Sequence, residues 1–230
     1  MDRFEITAGR VLFFYTALEQ SQQDRMFTKA FLKQILAGCT GCAAETIAFT
    51  ENRYGKPALA PGITDLPVCF NLSHTRDLVV CAVTLGHQIG VDVEHVQRRV
   101  DLSIADRFFS HQEAETIFRA DASLKQTLFF RFWTLKEACA KAMGRGLAIG
   151  LDQFSFVLDQ PEIQVRFHRS GPGQDHSRHG SGHWQFFQFS PVPGYMAAVA
   201  VNKKDAPPLT LSVHPFKFKS RPGPAWHPPP

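Results

Sequence analysis

The chain has 230 residues, 44% of them hydrophobic and 20% charged, with a formal net charge of +4. This is ordinary for a soluble globular protein with a full core, built as one large domain or two small ones. No apolar run approaches the roughly 18 residues of a membrane span, and the mild positive charge suits an anionic ligand or an acidic partner but is too small to imply nucleic acid. Asp2 and Glu5 break the charged-then-apolar plan of a signal peptide. Five cysteines, an odd number without a spacing framework, fit a reducing compartment. The expectation is a cytoplasmic monomer with no nucleic-acid and no membrane partner.

Residues 22–36 predict a helix, because Met26, Phe27, Ala30, Phe31 and Ile35 recur near helical spacing and Gly38 follows as a stop. Cys39-Thr40-Gly41-Cys42 is a lone CxxC that reads as a loop after that helix, not as half of a zinc site. Tyr54-Gly55-Lys56-Pro57 is a turn. Strands are predicted over 68–73 and 78–85, with Gly86-His87 separating the second from a strand over 89–94. The polar run Arg98–Asp101 marks a subdomain boundary. Ser110-His111-Gln112-Glu113 is a capping box that opens a helix through Phe118. A central helix follows over 129–143, ended by Gly144-Arg145-Gly146. Further strands are predicted over 154–158, 163–167, 184–189 and 195–201.

Residues 168–183 are rich in Gly, Ser and His, but His168, His176, His179 and His183 match no ligand spacing, so a mobile hairpin loop is expected. Residues 203–230 form a proline-rich tail, expected to build little ladder or helix. The strand around Val79–Val83 has a counterpart in Met196–Ala200, which hints at two halves of similar plan.

The chemistry concentrates in two stretches. In Gly90-Val91-Asp92-Val93-Glu94, strand periodicity projects Asp92 and Glu94 to one face. Side-by-side carboxylates repel, and a hard divalent cation such as Mg²⁺ relieves the conflict. In Trp133-Thr134-Leu135-Lys136-Glu137-Ala138, helical spacing puts Glu137 and Lys141 on one face. Glu137 could supply a third metal carboxylate, and the Lys141 ammonium could stabilise charge developing on a phosphoryl group. The plainer alternative is a solvated strand face and an ordinary surface ion pair.

Six motifs in order resolve the choice. Tyr54-Gly55-Lys56-Pro57, Asn71-Leu72-Ser73-His74, Gly90–Glu94, Phe108-Phe109-Ser110-x-x-Glu113, Trp133–Ala138 with Lys141, and Gly194-Tyr195-x-x-Ala198-Val199 together resemble the 4'-phosphopantetheinyl transferases of the surfactin-synthetase-activating type, W/KEA branch. The resemblance covers roughly residues 22–201. It implies an α+β fold of two pseudo-twofold-related α/β halves with the active site between them. The halves would be residues 1–97 and 98–202, followed by the tail 203–230.

The resemblance also implies the reaction. Coenzyme A is the co-substrate, and a serine of an apo acyl or peptidyl carrier protein attacks its β-phosphate, releasing adenosine 3',5'-bisphosphate. Asp92, Glu94 and Glu137 would hold Mg²⁺ as cofactor, with Glu137 also accepting the serine proton and Lys141 stabilising phosphate charge. Lys56, Ser73 and His74 would hold the 3'-phosphate and adenine end, with Lys29 as the nearest match by register to an arginine the family tends to place in the first helix, and Arg25 one turn earlier. Lys136 is left between a phosphate contact and a solvated position, while Glu113 is explained by its capping box. Two departures stand out: only about twenty residues precede the first helix, so the N-terminal half would be short of the family's extra strand and basic stretch, and the register of Lys29 is loose. Two other readings are a Mg²⁺-dependent phosphohydrolase acting on a nucleotide pyrophosphate, and a non-catalytic module that binds coenzyme A or the carrier.

Overall fold

The structure, a computed structural model, describes residues 3–18, 25–144, 150–168 and 183–218. Its described elements run β1 (Arg10–Ala17), α1 (Arg25–Thr40), β2 (Phe49–Glu51), β3 (Pro57–Leu59), β4 (Val68–Thr75), β5 (Leu78–Leu85), β6 (Gln88–His95), α2 (Ala105–Phe108), α3 (His111–Arg119), α4 (Ala122–Met143), β7 (Phe154–Val157), β8 (Gln164–Phe167), β9 (Trp184–Phe189), β10 (Tyr195–Asn202) and β11 (Thr210–Pro215).

Two sheets lie back to back between two helices. One has the order β11-β1-β5-β4 and the other β6-β10-β9. β5 shows why. Its sequence, LVVCAVTL, is apolar on both faces and buried almost throughout. Val79, Cys81 and Val83 pack with Phe31, Ile35 and Leu36 of α1. Leu78, Val80 and Ala82 pack instead with Ile89, Val91 and Val93 of β6 and Val199 of β10. β10 divides in the same way: Ala197, Val199 and Val201 face the other sheet, while Ala198 and Ala200 face the α4 core. Small residues on that side let the long helix approach closely. The layers therefore run α1, first sheet, second sheet, α4, with the hairpin of β7 and β8 packed beside α4.

Several sequence expectations are corrected. β1 lies among the opening residues, where no element was expected. Its run Val11–Phe14 is buried on both faces, so it lacks the polar alternation that marks a half-buried strand. The tail does build ladder, since β11 pairs in parallel with β1. As the edge strand of its sheet, β11 tolerates the missing N–H of Pro215. α1 runs through Gly38 to Thr40 and gives way at Gly41, whose φ is +78°. Cys39 therefore sits in the last helical turn, buried, with its thiol raised to about 12 by desolvation. α4 begins at Ala122, a full two turns before the apolar run that signalled it.

Backbone pairing also crosses the expected division at residues 97 and 98. β6, assigned to the first half, hydrogen-bonds to β10, and β11, assigned to the tail, hydrogen-bonds to β1. The expected loop lies largely outside the described residues, including His176 and His179, as do Arg145 and Gly146.

Candidate active site

β4 and β6 meet where the two sheets join, and side chains make the join. On β4, Asn71, Ser73 and Thr75 share a face. The Asn71 carbonyl accepts from Val91 N at 2.9 Å, Ser73 Oγ donates to Asp92 Oδ1 at 3.0 Å, and Thr75 Oγ1 reaches Glu94 Oε2 at 3.4 Å. Gly90, Asp92 and Glu94 form the matching face of β6, which packs on α4. A Cβ on Gly90 would lie 2.0 Å from the Ala138 carbonyl oxygen and 2.4 Å from Ala142 N, so only glycine permits this approach.

The close approach sets the acidic strand against the helix that carries Glu137 and Lys141. The Lys141 ammonium donates to Asp92 Oδ1 at 2.6 Å and to Ser73 Oγ at 3.0 Å. Burial raises the Asp92 carboxyl above its ordinary value, and Lys141 works against that shift. Glu137 is raised too, first by desolvation and then by the charge of Asp92, with Glu94 adding to it. Asp92, Glu94 and Glu137 thus sit close enough to feel one another.

Among the described residues, no three His, Cys, Asp or Glu side chains form a group that could hold a metal ion. Lys141 lies against one oxygen of Asp92, and Arg98 holds Glu94 with Nε to Oε2 at 3.0 Å and Nη2 to Oε1 at 3.1 Å. What fits a cation is narrower. Asp92 Oδ2 is buried with no partner, and Glu137 makes no hydrogen bond or salt bridge among the described residues. Two bare carboxylate oxygen donors from facing elements suit a hard divalent ion that completes its shell with phosphate and water.

The nucleotide-end residues do not stay together. Ser73 belongs to the acidic cluster, whereas its neighbour His74 points to the opposite face of β4, as strand alternation requires. There a groove of about 980 Å³ is lined by Lys29, Lys33, His74 and Arg76 together with Glu45 and Glu51, with Leu32 and Phe49 among its apolar walls, so basic side chains outnumber acidic ones. Lys33 and Arg76 were not singled out in the sequence. Lys33 is one turn from Lys29 on the same helix, and that i, i+4 spacing was a usable signal.

Two expected ligand lysines are committed elsewhere. Lys56 Nζ donates to Ile89 O at 2.9 Å and Ala142 O at 3.1 Å. Burial lowers it to about 8. With Asn52 Nδ2 on Gly144 O at 2.9 Å, Lys56 ties the β2–β3 hairpin to the end of α4. Lys136 is fully buried and far from solvent. It pairs with Glu113 at 2.9 Å and donates to the carbonyls of Leu151 at 2.6 Å and Phe154 at 2.5 Å. It is neither solvated nor positioned for phosphate, because its helix face turns into the core. Glu113 completes the predicted capping box with Ser110 and also accepts from Phe156 N at 2.9 Å.

An acid–lysine cluster thus lies where the two sheets join, and a groove with four basic side chains lies on the other face of the same edge strand. The profile of the 4'-phosphopantetheinyl transferase superfamily matches residues 88–200. The 4'-phosphopantetheinyl transferase HetI of Nostoc sp. is 34% identical over 183 residues, which is 78% of this chain and 72% of that protein. The 4'-phosphopantetheinyl transferase gsp of Aneurinibacillus migulanus is 35% identical over 121 residues, 53% of this chain and 47% of that protein. The 4'-phosphopantetheinyl transferase Sfp of Bacillus subtilis is 33% identical over 162 residues, 70% of this chain and 66% of that protein. The chain belongs to the 4'-phosphopantetheinyl transferase superfamily.

Proposed function

We propose that the protein transfers the 4'-phosphopantetheine group from coenzyme A to a serine of an apo carrier protein, releasing adenosine 3',5'-bisphosphate. The observation that carries this reading is β4. As an edge strand it presents Ser73 to the acid–lysine cluster and His74 to the basic groove. Coenzyme A has the matching pair of charges, a pyrophosphate and a 3'-phosphate. Lys29, Lys33, His74 and Arg76 bind the 3'-phosphate, a dianion suited to cationic and imidazole donors. Lys141, held by Asp92 and Ser73, faces the pyrophosphate. A divalent cation, Mg²⁺ by its hard-oxygen preference, would be held by Asp92 and Glu137 and would neutralise pyrophosphate charge when bound.

Within that frame Glu137 accepts the serine proton. Lys141 stabilises the charge that builds on the departing phosphate, a role that rewards exact placement more than ground-state binding. The carrier docks at α3 and the start of α4. Phe118 and Leu124 are 37% and 51% exposed there, so neither is a core residue, and the same stretch of chain carries Arg107, Lys125 and Arg119, the last paired with Glu115 at 2.6 Å. A carrier with an acidic helix beside its serine complements that surface.

Incubation with coenzyme A, Mg²⁺ and an apo carrier, followed by intact mass, tests the reaction. The expected result is a carrier heavier by one phosphopantetheine group. An unmodified carrier with coenzyme A hydrolysed would favour the phosphohydrolase instead. For the docking face, Arg119→Glu with Lys125→Glu should raise the carrier KM severalfold at low salt and leave the coenzyme A KM alone. An unchanged carrier KM would move the docking surface elsewhere.

A further inference from the structure

The last turn of α4 carries Lys141, and a helix end is held only as well as its final carbonyls are satisfied. Gly144 N closes on Ala140 O and Lys141 O. Carbonyls beyond them are taken by the tip of the β2–β3 hairpin. Lys56 Nζ donates to Ala142 O at 3.1 Å, and Asn52 Nδ2 donates to Gly144 O at 2.9 Å. The helix dipole favours an ammonium at this end. The tip is braced from within. Asn52 Oδ1 accepts from Tyr54 N at 2.9 Å and from Lys56 N at 3.0 Å, while Asn52 N donates to Lys56 O. Its seat on the helix is tight: a Cβ on Gly144 would lie 3.3 Å from both Asn52 Nδ2 and Lys56 Cδ. The hairpin is anchored in turn to β4 through Phe49, whose ring meets Phe70 edge-on at 5.7 Å.

Lys56 makes one contact more, to Ile89 O of β6 at 2.9 Å. Its ammonium therefore joins the residue that follows Lys141 on α4 to the residue that precedes Gly90 on β6, beside the point where Gly90 lets the strand and helix backbones meet. We propose that Lys56 is a positioning residue for the transfer step: it touches no substrate, and by bridging β6 and α4 it sets the contact between Lys141 and Asp92. This rests on the transferase reading and adds to it a residue outside the cluster. The contact it sets is short, 2.6 Å, and joins side chains of two different elements. It lengthens as soon as the last turn frays or α4 slides along β6. Lys141 acts on charge that develops in the transition state, so its displacement costs rate more than it costs binding. The competing role for Lys56 is a phosphate contact, which would require giving up both carbonyls.

Hydrogen exchange of the full chain without ligand reads the tie itself. Lys56→Met keeps most of the stem and removes the ammonium, and it should speed exchange of the last-turn amides of α4 by about tenfold or more while β5 stays protected. Single-turnover transfer to an apo carrier at saturating coenzyme A should slow by about tenfold or more, with the coenzyme A KM within about twofold of wild type. Lys56→Arg, which still reaches both carbonyls, should recover most of the rate. The decisive measurement is a double-mutant cycle. On a Lys141→Met background, Lys56→Met should cost less than about twofold further, because the group it positions is gone. Asn52→Ala, at an exposed position, removes the second tie. It should move exchange and rate in the same direction by a smaller factor, and it stands in should Lys56→Met not fold. A rate loss that persists in full on the Lys141→Met background would reduce Lys56 to a general support. A raised KM with an intact rate would make it a substrate contact. Either result overturns the proposal, as does unchanged exchange in α4. If the wild type itself leaves the carrier unmodified, the transferase reading fails, while the exchange result still decides whether Lys56 holds α4.

Discussion

Gly90→Ala is the sharpest perturbation of the site that touches no functional side chain. The added methyl would meet the Ala138 carbonyl oxygen at 2.0 Å and Ala142 N at 2.4 Å, where ordinary contact begins at 3.4 Å. Both atoms are helix backbone, so no rotamer change relieves the clash, and α4 must retreat from β6 by roughly 1 Å or more. Overpacking of this kind costs about 1–3 kcal/mol, and a rigid backbone partner places this case near the top of that range. For a chain of this size that corresponds to a Tm lower by roughly 6–12 °C. The same shift stretches the Lys141–Asp92 contact, now 2.6 Å, and moves Glu137 with it. A misplacement of about 1 Å can cost roughly 100-fold in rate. The assay is single-turnover transfer to an apo carrier, read by intact mass well below the variant's Tm. Gly86→Ala is the control. It is strained by a φ of +72°, yet its methyl meets nothing within 4 Å. It should lower Tm and leave the rate intact. A Gly90→Ala protein with wild-type Tm and rate would show that the strand–helix approach does not set the site.

Lys136→Met should cost about 3–5 kcal/mol in chemical denaturation, because it strands the buried Glu113 carboxylate. Its coenzyme A KM should stay unchanged in the cold, and a selective rise in that KM would restore the phosphate role. Glu137→Gln should abolish transfer yet raise Tm at neutral pH. The folded state holds the Glu137 proton more tightly than the unfolded chain does, so the wild-type penalty appears as pH rises past the ordinary value of 4.5 and is complete above the raised value. The Tm difference should therefore vanish near about pH 4, and a constant difference across pH would refute the assignment. His74→Ala and Lys29→Ala should each raise the KM for coenzyme A, while dephospho-coenzyme A should make wild type and variants alike. Equal losses with both substrates would place these residues away from the 3'-phosphate.

What was legible in the sequence follows from how each element is buried. β6 and α4 carry their chemistry at spacings of two and four, and each has one polar face. Alternation therefore paired Asp92 with Glu94, and helical spacing paired Glu137 with Lys141, whereas joining the two pairs rested on the family resemblance. β1 and β11 escaped for opposite reasons. β1 is buried on both faces and loses the alternation that signals a strand. β11 does alternate, but it lies in a proline-rich stretch and its parallel partner is some two hundred residues away. No local pattern encodes a pairing of that range. Lys136 and Glu137 are adjacent in the chain, yet one turns into the core and the other toward the seam. A motif records the residue type and not the side of the helix it serves. The same holds for Ser73 and His74, which a strand separates to opposite faces.

Arg98 was invisible for a different reason. It appeared in a polar run that reads as a boundary, and only the fold reveals that four residues of separation close a fork on Glu94. The exchange of strands explains why such pairings matter. β6 leaves the first half of the chain to pair with β10, and β11 returns from the far end to pair with β1. The acidic strand is thus held on one side by β10, faces α4 on another, and meets β4 only through Asn71, Ser73 and Thr75. Those three side chains are the sole hydrogen-bonding link between β4 and β6 among the described contacts. The sheets otherwise meet through the apolar core of β1 and β5 on β6 and β10, so these three side chains carry the polar contacts that hold Asp92 and Glu94. The cluster thus takes its residues from both sheets and from α4, and it forms only where all three come together.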